Sequence, residues 1–280
     1  AGRLVLAALQ AEPAAPGGRV ALVSVMAANN EIGTVQPVGR VVALARHHGV
    51  PVHCDAVQGA GQLPLDLDPA ADATPDAVTL SAHKLGGPKG VGALVLRPGV
   101  GVVPLLHGGG QERGLRPGTT GVVAALGFAL AAEQAVATQP AEAVRLAGLR
   151  DSLVARVLAA VPGAVLRGAA LDGDRRMPGN AHLTFAGCDA DSLLYGLDSR
   201  GVQASTGSAC TAGVSEPSHV LAACGVPEHH ARGALRFSLG HTTTAADVDH
   251  LLAVLPEVVD RARAAAGVAA VLGGPSRSWD

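Results

Sequence analysis

Three short apolar runs, each stopping at a cluster of polar residues, constrain this chain more than any other feature. Val20–Ala27 (VALVSVMA) stops at Asn29-Asn30-Glu31-Ile32-Gly33, Val50–Cys54 (VPVHC) at Asp55, and Ala77–Leu80 (AVTL) at Ser81-Ala82-His83-Lys84. Short continuous runs rich in β-branched residues read as buried strands. Between the first two, Val38–His48 carries apolar residues at helical spacing and stops at Gly49. Val91–Leu96 reads as a fourth strand. Strand, helix, strand, loop, strand at this rhythm predicts an α/β domain with a largely parallel sheet. Ligands of such sheets bind outside the carboxyl ends of the strands. Asn30, Asp55 with Gln58, and Ser81, His83 and Lys84 therefore gather into one candidate site.

The second half changes character. Gly121–Ala137 and Ala141–Val161 read as two helices, His182–Phe185 and Ala234–Ser238 as short strands, and Ala246–Ala266 as a closing amphipathic helix. The expected organisation is a sheet-bearing domain over 1–137, a smaller α+β domain over 138–266 and a loose tail over 267–280. With 48% hydrophobic and 16% charged residues the chain can bury a core. A formal charge of -2 and 2% aromatic residues argue against nucleic-acid binding, which needs phosphate neutralisation or stacking platforms. The longest apolar stretch, Thr120–Ala132, is interrupted by Gly127 and soon meets Glu133, so no membrane span or membrane partner is expected. The first residues do not read as a secretion signal. Four cysteines without a CxxC pair predict neither a zinc site nor a disulfide scaffold, and point to a reducing compartment such as the cytoplasm.

Lys84 follows a buried strand and precedes Gly86-Gly87-Pro88, where backbone can approach closely. A lysine held in a partly desolvated site becomes a nucleophilic amine able to form a Schiff base with an aldehyde; the alternative is a solvated lysine at a strand end. A carboxylate on the neighbouring strand, Asp55, either caps the segment after it or pairs with a protonated pyridine nitrogen. A lysine with such a carboxylate partner is the pattern that binds pyridoxal 5'-phosphate (PLP).

Longer motifs extend the pattern. They are Met26–Gly33 (MAANNEIG), His53–Gln58 (HCDAVQ), Ser81–Lys84 (SAHK), Gly86–Gly90 (GGPKG), His107–Gly114 (HGGGQERG), Arg116–Thr119 (RPGT), Ser205–Cys210 (STGSAC) and Leu235–Gly240 (LRFSLG). In order and spacing, from about Val20 to Leu255, they resemble the cysteine desulfurases of the class V aminotransferases, and within them the iron-sulfur-assembly type. The resemblance implies a fold-type-I PLP-dependent transferase and a homodimer. It also implies removal of sulfur from L-cysteine to give L-alanine and a persulfide, passed to an acceptor or iron-sulfur scaffold protein. Lys84 would carry the cofactor and move protons at the substrate α-carbon. Asp55 would pair with the pyridine nitrogen, Gln58 and Asn30 would contact the phenolic oxygen, and Ser81 and His83 would hold the phosphate. Thr119 would reach the phosphate of the partner subunit's cofactor. Arg236 would clamp the substrate carboxylate, with Asn30 beside it.

Cys210 decides the reaction. Its thiolate would attack the substrate sulfur, and a positive group is needed to activate it, with His107 as one contributor. Its polar, small-residue context, Ala204–Val214, is where flexibility is expected. Cys54 reads as core, and Cys188 and Cys224 as packing or surface residues. The family's opening section has no counterpart in residues 1–19, so half of the phosphate cup and the ring-stacking histidine have no place and the large domain is incomplete. Weak PLP affinity and poor solubility are the expectation for such a chain acting alone. Two other readings stay open: another class V aminotransferase or lyase acting on a small amino acid, and a truncated remnant without activity.

Overall fold

A computed structural model describes residues 2, 20–171, 173–206 and 218–271. The chain divides into two compact units. One comprises residues 20–28 and 35–142, and the other Gly2, residues 29–34 and the described residues from Ala143 onward. The turn Asn29–Thr34, which sequence assigns to the first domain, is thus grouped with the C-terminal unit.

The first unit is built on a four-stranded sheet in the order β1 (Val23–Met26), β2 (Val52–Asp55), β3 (Ala77–Ser81) and β4 (Gly92–Leu96). β1, β2 and β3 run parallel, with Val25 beside Cys54 and Cys54 beside Val78. β4 returns antiparallel, Ser81 beside Gly92. Helix α1 (Val38–His47) crosses between β1 and β2 and buries Val41, Val42 and Ala45 against Val52. It stops where Gly49 takes a positive φ of 67°. The strands are not buried on both faces, as their apolar runs suggest. Burial alternates: Val52 and Cys54 are in the core, while Asp55, Ser24 and Met26 are exposed.

Sequence predicts two helices across 121–161; the structure has one, α2 (Val122–Ala160), running through Pro140. Proline removes one N–H and crowds the preceding turn, yet the helix continues through it into a part that packs in the core. Its later part buries Leu146, Leu153, Val154 and Val157, the i, i+7, i+8, i+11 face of a core helix. Its earlier part leaves Val122, Val123, Leu126 and Leu130 exposed. An 18-residue window of α2 reaches a mean hydropathy of 1.3 and is only 6% buried, a longer apolar element than the sequence reading allowed.

The second unit packs helices on an antiparallel sheet of β5 (Ala164–Leu166), β6 (Asn180–Phe185) and β7 (Ala234–Ser238). The remaining helices are α3 (Ala190–Asp198), α4 (His219–Ala223), α5 (Glu228–Ala231) and α6 (Ala245–Val271). Asp189 caps α3 by accepting the Asp191 N–H. α6 extends beyond Ala266, so the expected tail begins inside a helix. One face of the sheet, Ala181, Leu183, Phe185, Leu235 and Phe237, joins Leu193, Leu197, Leu255 and Val258 in the main core. Each fully buried large side chain there contributes about 1.5–3 kcal/mol.

The other face of β6 is polar yet buried: Asn180, His182 and Thr184. It grips the turn Asn29–Thr34. Arg176 Nη1 donates to Ile32 O at 3.1 Å, Asn180 Nδ2 to Glu31 O at 3.0 Å, and Arg236 Nη1 to Asn30 O at 2.8 Å. Within the turn, Asn29 Oδ1 accepts the N–H groups of Glu31 and Ile32 at 2.9 and 3.0 Å. Gly33 has a φ of 67°, and a Cβ there would meet Asn180 Oδ1 at 2.4 Å. Only glycine fits.

His182 is fully buried, neither ring nitrogen has a hydrogen-bond partner among the described residues, and burial, then Arg176, Arg236 and Arg167, push its pKa from 6.5 to about 3. The unfolded chain therefore takes a proton near pH 6.5 that the folded chain refuses until about pH 3. Stability from this residue is complete above pH 6.5 and falls as pH drops toward 3, by at most about 1.4 kcal/mol per pH unit. Urea unfolding at pH 7.5 and 4.5 should show a smaller loss for His182→Asn than for the parent; an equal loss would mean that this ring does not set the acid limb.

Candidate active site

Strand geometry places the first set of candidates. Asp55 ends β2, and its neighbour in parallel register is Thr79, two residues before the end of β3. The side-chain period of two puts Asp55 on the face opposite Cys54. Its Oδ1 accepts the Val57 N–H at 3.0 Å, closing the turn after the strand. Capping and exposure thus coexist at this carboxylate. Gln58 is half-buried in the same turn.

Ser81 ends β3 and leads into a 3₁₀ turn, Ala82–Lys84. Ala82 is fully buried, and its carbonyl accepts the N–H groups of Leu85 and Gly87, both at 2.9 Å. That anchor leaves its neighbours outward. Ser81 Oγ and His83 Nδ1 are 2.7 Å apart, a hydroxyl–imidazole pair suited to an anion. Lys84 is exposed, so the described residues do not supply the desolvation that the sequence argument invoked. No salt bridge joins Lys84 to Asp55 among the described residues. Thr119 is exposed in the loop before α2, and no hydrogen bond links it to Ser81, His83 or Lys84. His107 is exposed in the loop that precedes Thr119.

The second set lies in the other unit. Arg236, in β7, is held through Asn30 O by Nη1 and through Ser205 Oγ by Nη2 at 3.4 Å. Asn30 is half-buried in the gripped turn. A carbonyl and a hydroxyl oxygen thus fix the plane of the guanidinium fork. Cys210 falls outside the described residues.

Sequence reasoning missed a row of hydrogen bonds across the first sheet. Ser24 Oγ lies 2.8 Å from His53 Nδ1, and His53 Nε2 lies 2.6 Å from Thr79 Oγ1. His53 shares a face with Asp55, two residues on, and ties three strands together beside it. The available signal was the polar residue interrupting each apolar run. The grip of Arg176, Asn180 and Glu31 was missed as well.

The cysteines divide by burial. Cys54 is in the core, and burial, then Asp55, push its thiol up from 9.0 to about 11. Burial also raises Cys188, against the opposing pull of Arg263. Cys224 is half-buried. Among the described residues no group of His, Cys, Asp or Glu forms a metal cluster.

Comparison with known proteins gives these strand ends a context. The aminotransferase class-V family model matches residues 7–251. The chain is 54% identical over 251 residues to an IscS-like cysteine desulfurase of Mycobacterium tuberculosis, a match covering 90% of this chain and 63% of that protein. It is 47% identical over 256 residues to a cysteine desulfurase of Cereibacter sphaeroides, covering 91% and 64%. Among solved structures, a NifS-like protein from Rickettsia africae superposes with a TM-score of 0.81 at 29% identity, covering 92% of this chain and 67% of that one. DndA from Streptomyces lividans gives a TM-score of 0.65 at 34% identity, covering 85% and 64%. The chain spans a little under two thirds of the length of these curated relatives.

Alkylation at pH 7.5 followed by peptide mapping should leave Cys54 and Cys188 unmodified in the folded chain while Cys224 reacts. The raised Cys54 pKa also has a sign. Its contribution to stability is complete below about pH 9 and is lost as pH climbs through about 11, because the unfolded chain releases this proton first. Cys54→Ala should therefore show a shallower alkaline loss of stability than the parent. Rapid labelling of Cys54 at pH 7.5 would contradict its burial.

Proposed function

This chain belongs to the aminotransferase class-V family, and from that membership we propose that it carries the chemistry of a PLP-dependent cysteine desulfurase acting on L-cysteine. The observation that carries the reading is the pairing of Asp55 with Ser81, His83 and Lys84 at the ends of neighbouring parallel strands. This donor set fits PLP: a carboxylate for the ring nitrogen, an amine for the aldehyde, and a hydroxyl–imidazole pair for the phosphate. Bound PLP supplies an electron sink for negative charge at the substrate α-carbon.

The chain's own residues do the rest. Asp55 keeps the ring nitrogen protonated. Ser81 and His83 orient the phosphate, and Gln58 and Asn30 the phenolic oxygen. Lys84 takes the α-proton and returns a proton to carbon. Arg236 receives the substrate carboxylate, its fork pre-aimed by Asn30 O, so less side-chain freedom is lost on binding. The Cys210 thiolate bonds to the substrate sulfur as the carbon–sulfur bond breaks. The electron pair of that bond goes to carbon, which is protonated, so cysteine and a thiol become alanine and a Cys210 persulfide. The persulfide sulfur then passes to an acceptor protein, for iron-sulfur cluster assembly or for thiolation. We assign this work to a homodimer in the cytoplasm, with Thr119 reaching the partner subunit's cofactor phosphate.

Borohydride reduction in the presence of PLP, followed by peptide mapping, should place a pyridoxyl label on Lys84 alone. Sulfide release from L-cysteine should fall about a hundredfold or more in Lys84→Ala and in Cys210→Ala. Arg236→Lys, which keeps the charge but loses the fork, should raise KM for cysteine about tenfold with a smaller effect on kcat. Transamination of alanine or serine that survives Cys210→Ala would shift the assignment to another class V reaction. Absence of any label on Lys84 would overturn the PLP reading for this chain.

A further inference from the structure

The chemistry above gives no task to the row Ser24, His53 and Thr79. These residues lie two places before the last residues of β1, β2 and β3, which are Met26, Asp55 and Ser81. The side-chain period of two therefore puts the row on the face of Asp55 and Ser81, one step beneath them. Ser24 Oγ lies 2.8 Å from His53 Nδ1, and His53 Nε2 lies 2.6 Å from Thr79 Oγ1. A neutral imidazole offers one donor and one acceptor, and a hydroxyl can play either part. Both bonds are therefore made whichever nitrogen carries the proton, and a protonated ring donates at both. An apolar side chain would suit the strand as well, but it would leave both hydroxyls without this partner.

Backbone pairing between β2 and β3 reaches Asp55 but not Ser81. It runs from His53–Ala77 to Asp55–Thr79 and stops there. Ser81 lies two residues further on, and its backbone partner is Gly92 of β4, on the other side. The His53–Thr79 bond crosses β2 and β3 on the site's own face, directly below both groups. PLP is a rigid ring with a short phosphate arm, so one molecule reaches the Asp55 carboxylate and the Ser81–His83 pair only at one separation. We propose that His53 is a positioning residue for the cofactor. Held by Ser24 and bonded to Thr79, it sets the spacing between the ring-nitrogen acceptor on β2 and the phosphate-holding pair at the end of β3. This rests on the PLP reading.

The test uses the chain without cofactor and the variants His53→Leu, His53→Gln, Thr79→Val and His53→Leu/Thr79→Val. Inorganic phosphate engages the Ser81–His83 pair alone and is the one-ended probe; PLP is the two-ended one. In His53→Leu and in Thr79→Val the Kd for PLP should rise about tenfold while that for phosphate stays within about twofold of the parent, because only the span loses its preorganisation. The double variant should bind PLP no more weakly than either single one. His53→Gln, whose amide both donates and accepts, should recover most of the PLP affinity. A second readout needs no ligand. The Val57 N–H donates to Asp55 Oδ1 at 3.0 Å, so its hydrogen exchange reports the Asp55 side chain. Exchange there should be about threefold faster or more in His53→Leu and Thr79→Val, but not in His53→Gln. Exchange at Leu85, whose N–H donates to Ala82 O, should not change.

PLP binding that is unchanged in His53→Leu would overturn the proposal. So would a parallel loss of PLP and phosphate, which marks a merely structural role, or equal Val57 exchange in all the proteins. A parent chain that does not bind PLP defeats the PLP reading, while Val57 exchange and its recovery in His53→Gln still decide whether His53 positions Asp55. Should His53→Leu not fold, Thr79→Val and His53→Gln carry the comparison.

Discussion

A buried guanidinium must find acceptors, and the second unit is arranged around that demand. Arg176 is 3% exposed, and burial, followed by the charge of Arg150, pulls its pKa down to about 10. Leaving such a group unsatisfied would cost several kcal/mol. Backbone oxygens meet the need: Nε donates to Ala169 O at 2.8 Å, Nη2 to Arg167 O, and Nη1 to Ile32 O. The turn Asn29–Thr34 must then present its carbonyls to the polar face of β6. Once it does, Asn180 and Arg236 find Glu31 O and Asn30 O in the same row. Arg236 and Asn30 thereby share one rigid support.

The first unit obeys a different rule. In a strand the side chains alternate, so the packing of Val52 and Cys54 puts His53 and Asp55 on the other face. A slip of one residue would bury the carboxylate and expose the core. The hydrogen bonds from His53 to Ser24 and Thr79 hold β1, β2 and β3 against such a slip. Ala82 acts similarly at the end of β3, since its fully buried position sends Ser81, His83 and Lys84 outward. Both strand ends display polar groups because an adjacent small residue is locked inside.

What could be read from sequence follows from how local each signal is. An apolar run ending in polar residues is a local pattern, and the four strands of the first unit lie close to where it puts them. The strand ends carrying Asp55 and Lys84 were legible for the same reason. Pro140 was misleading, because its effect on a helix depends on packing far from it. The burial of β6 was not legible: His182 and Thr184 alternate with Leu183 and Phe185, yet both polar residues are fully buried. Nothing local shows that Asn30 O serves Arg236, 206 residues away. The exposure of Lys84 was equally out of reach, since it depends on which elements cover the strand end.

The charge balance around β6 adds a last step. His182 pairs in register with Arg236, and its ring is surrounded by Arg167, Arg176 and Arg236. An acidic residue here would pair with Arg236 and offset its charge. A protonated ring would add repulsion to a cluster already short of anions. Held neutral, the imidazole fills the volume and does neither. Its missing hydrogen bonds cost about 1–3 kcal/mol, a cost set against the positive field preserved at the fork. Arg236 thus has its direction set by the oxygens of Asn30 and Ser205 and faces a neutral ring on the neighbouring strand.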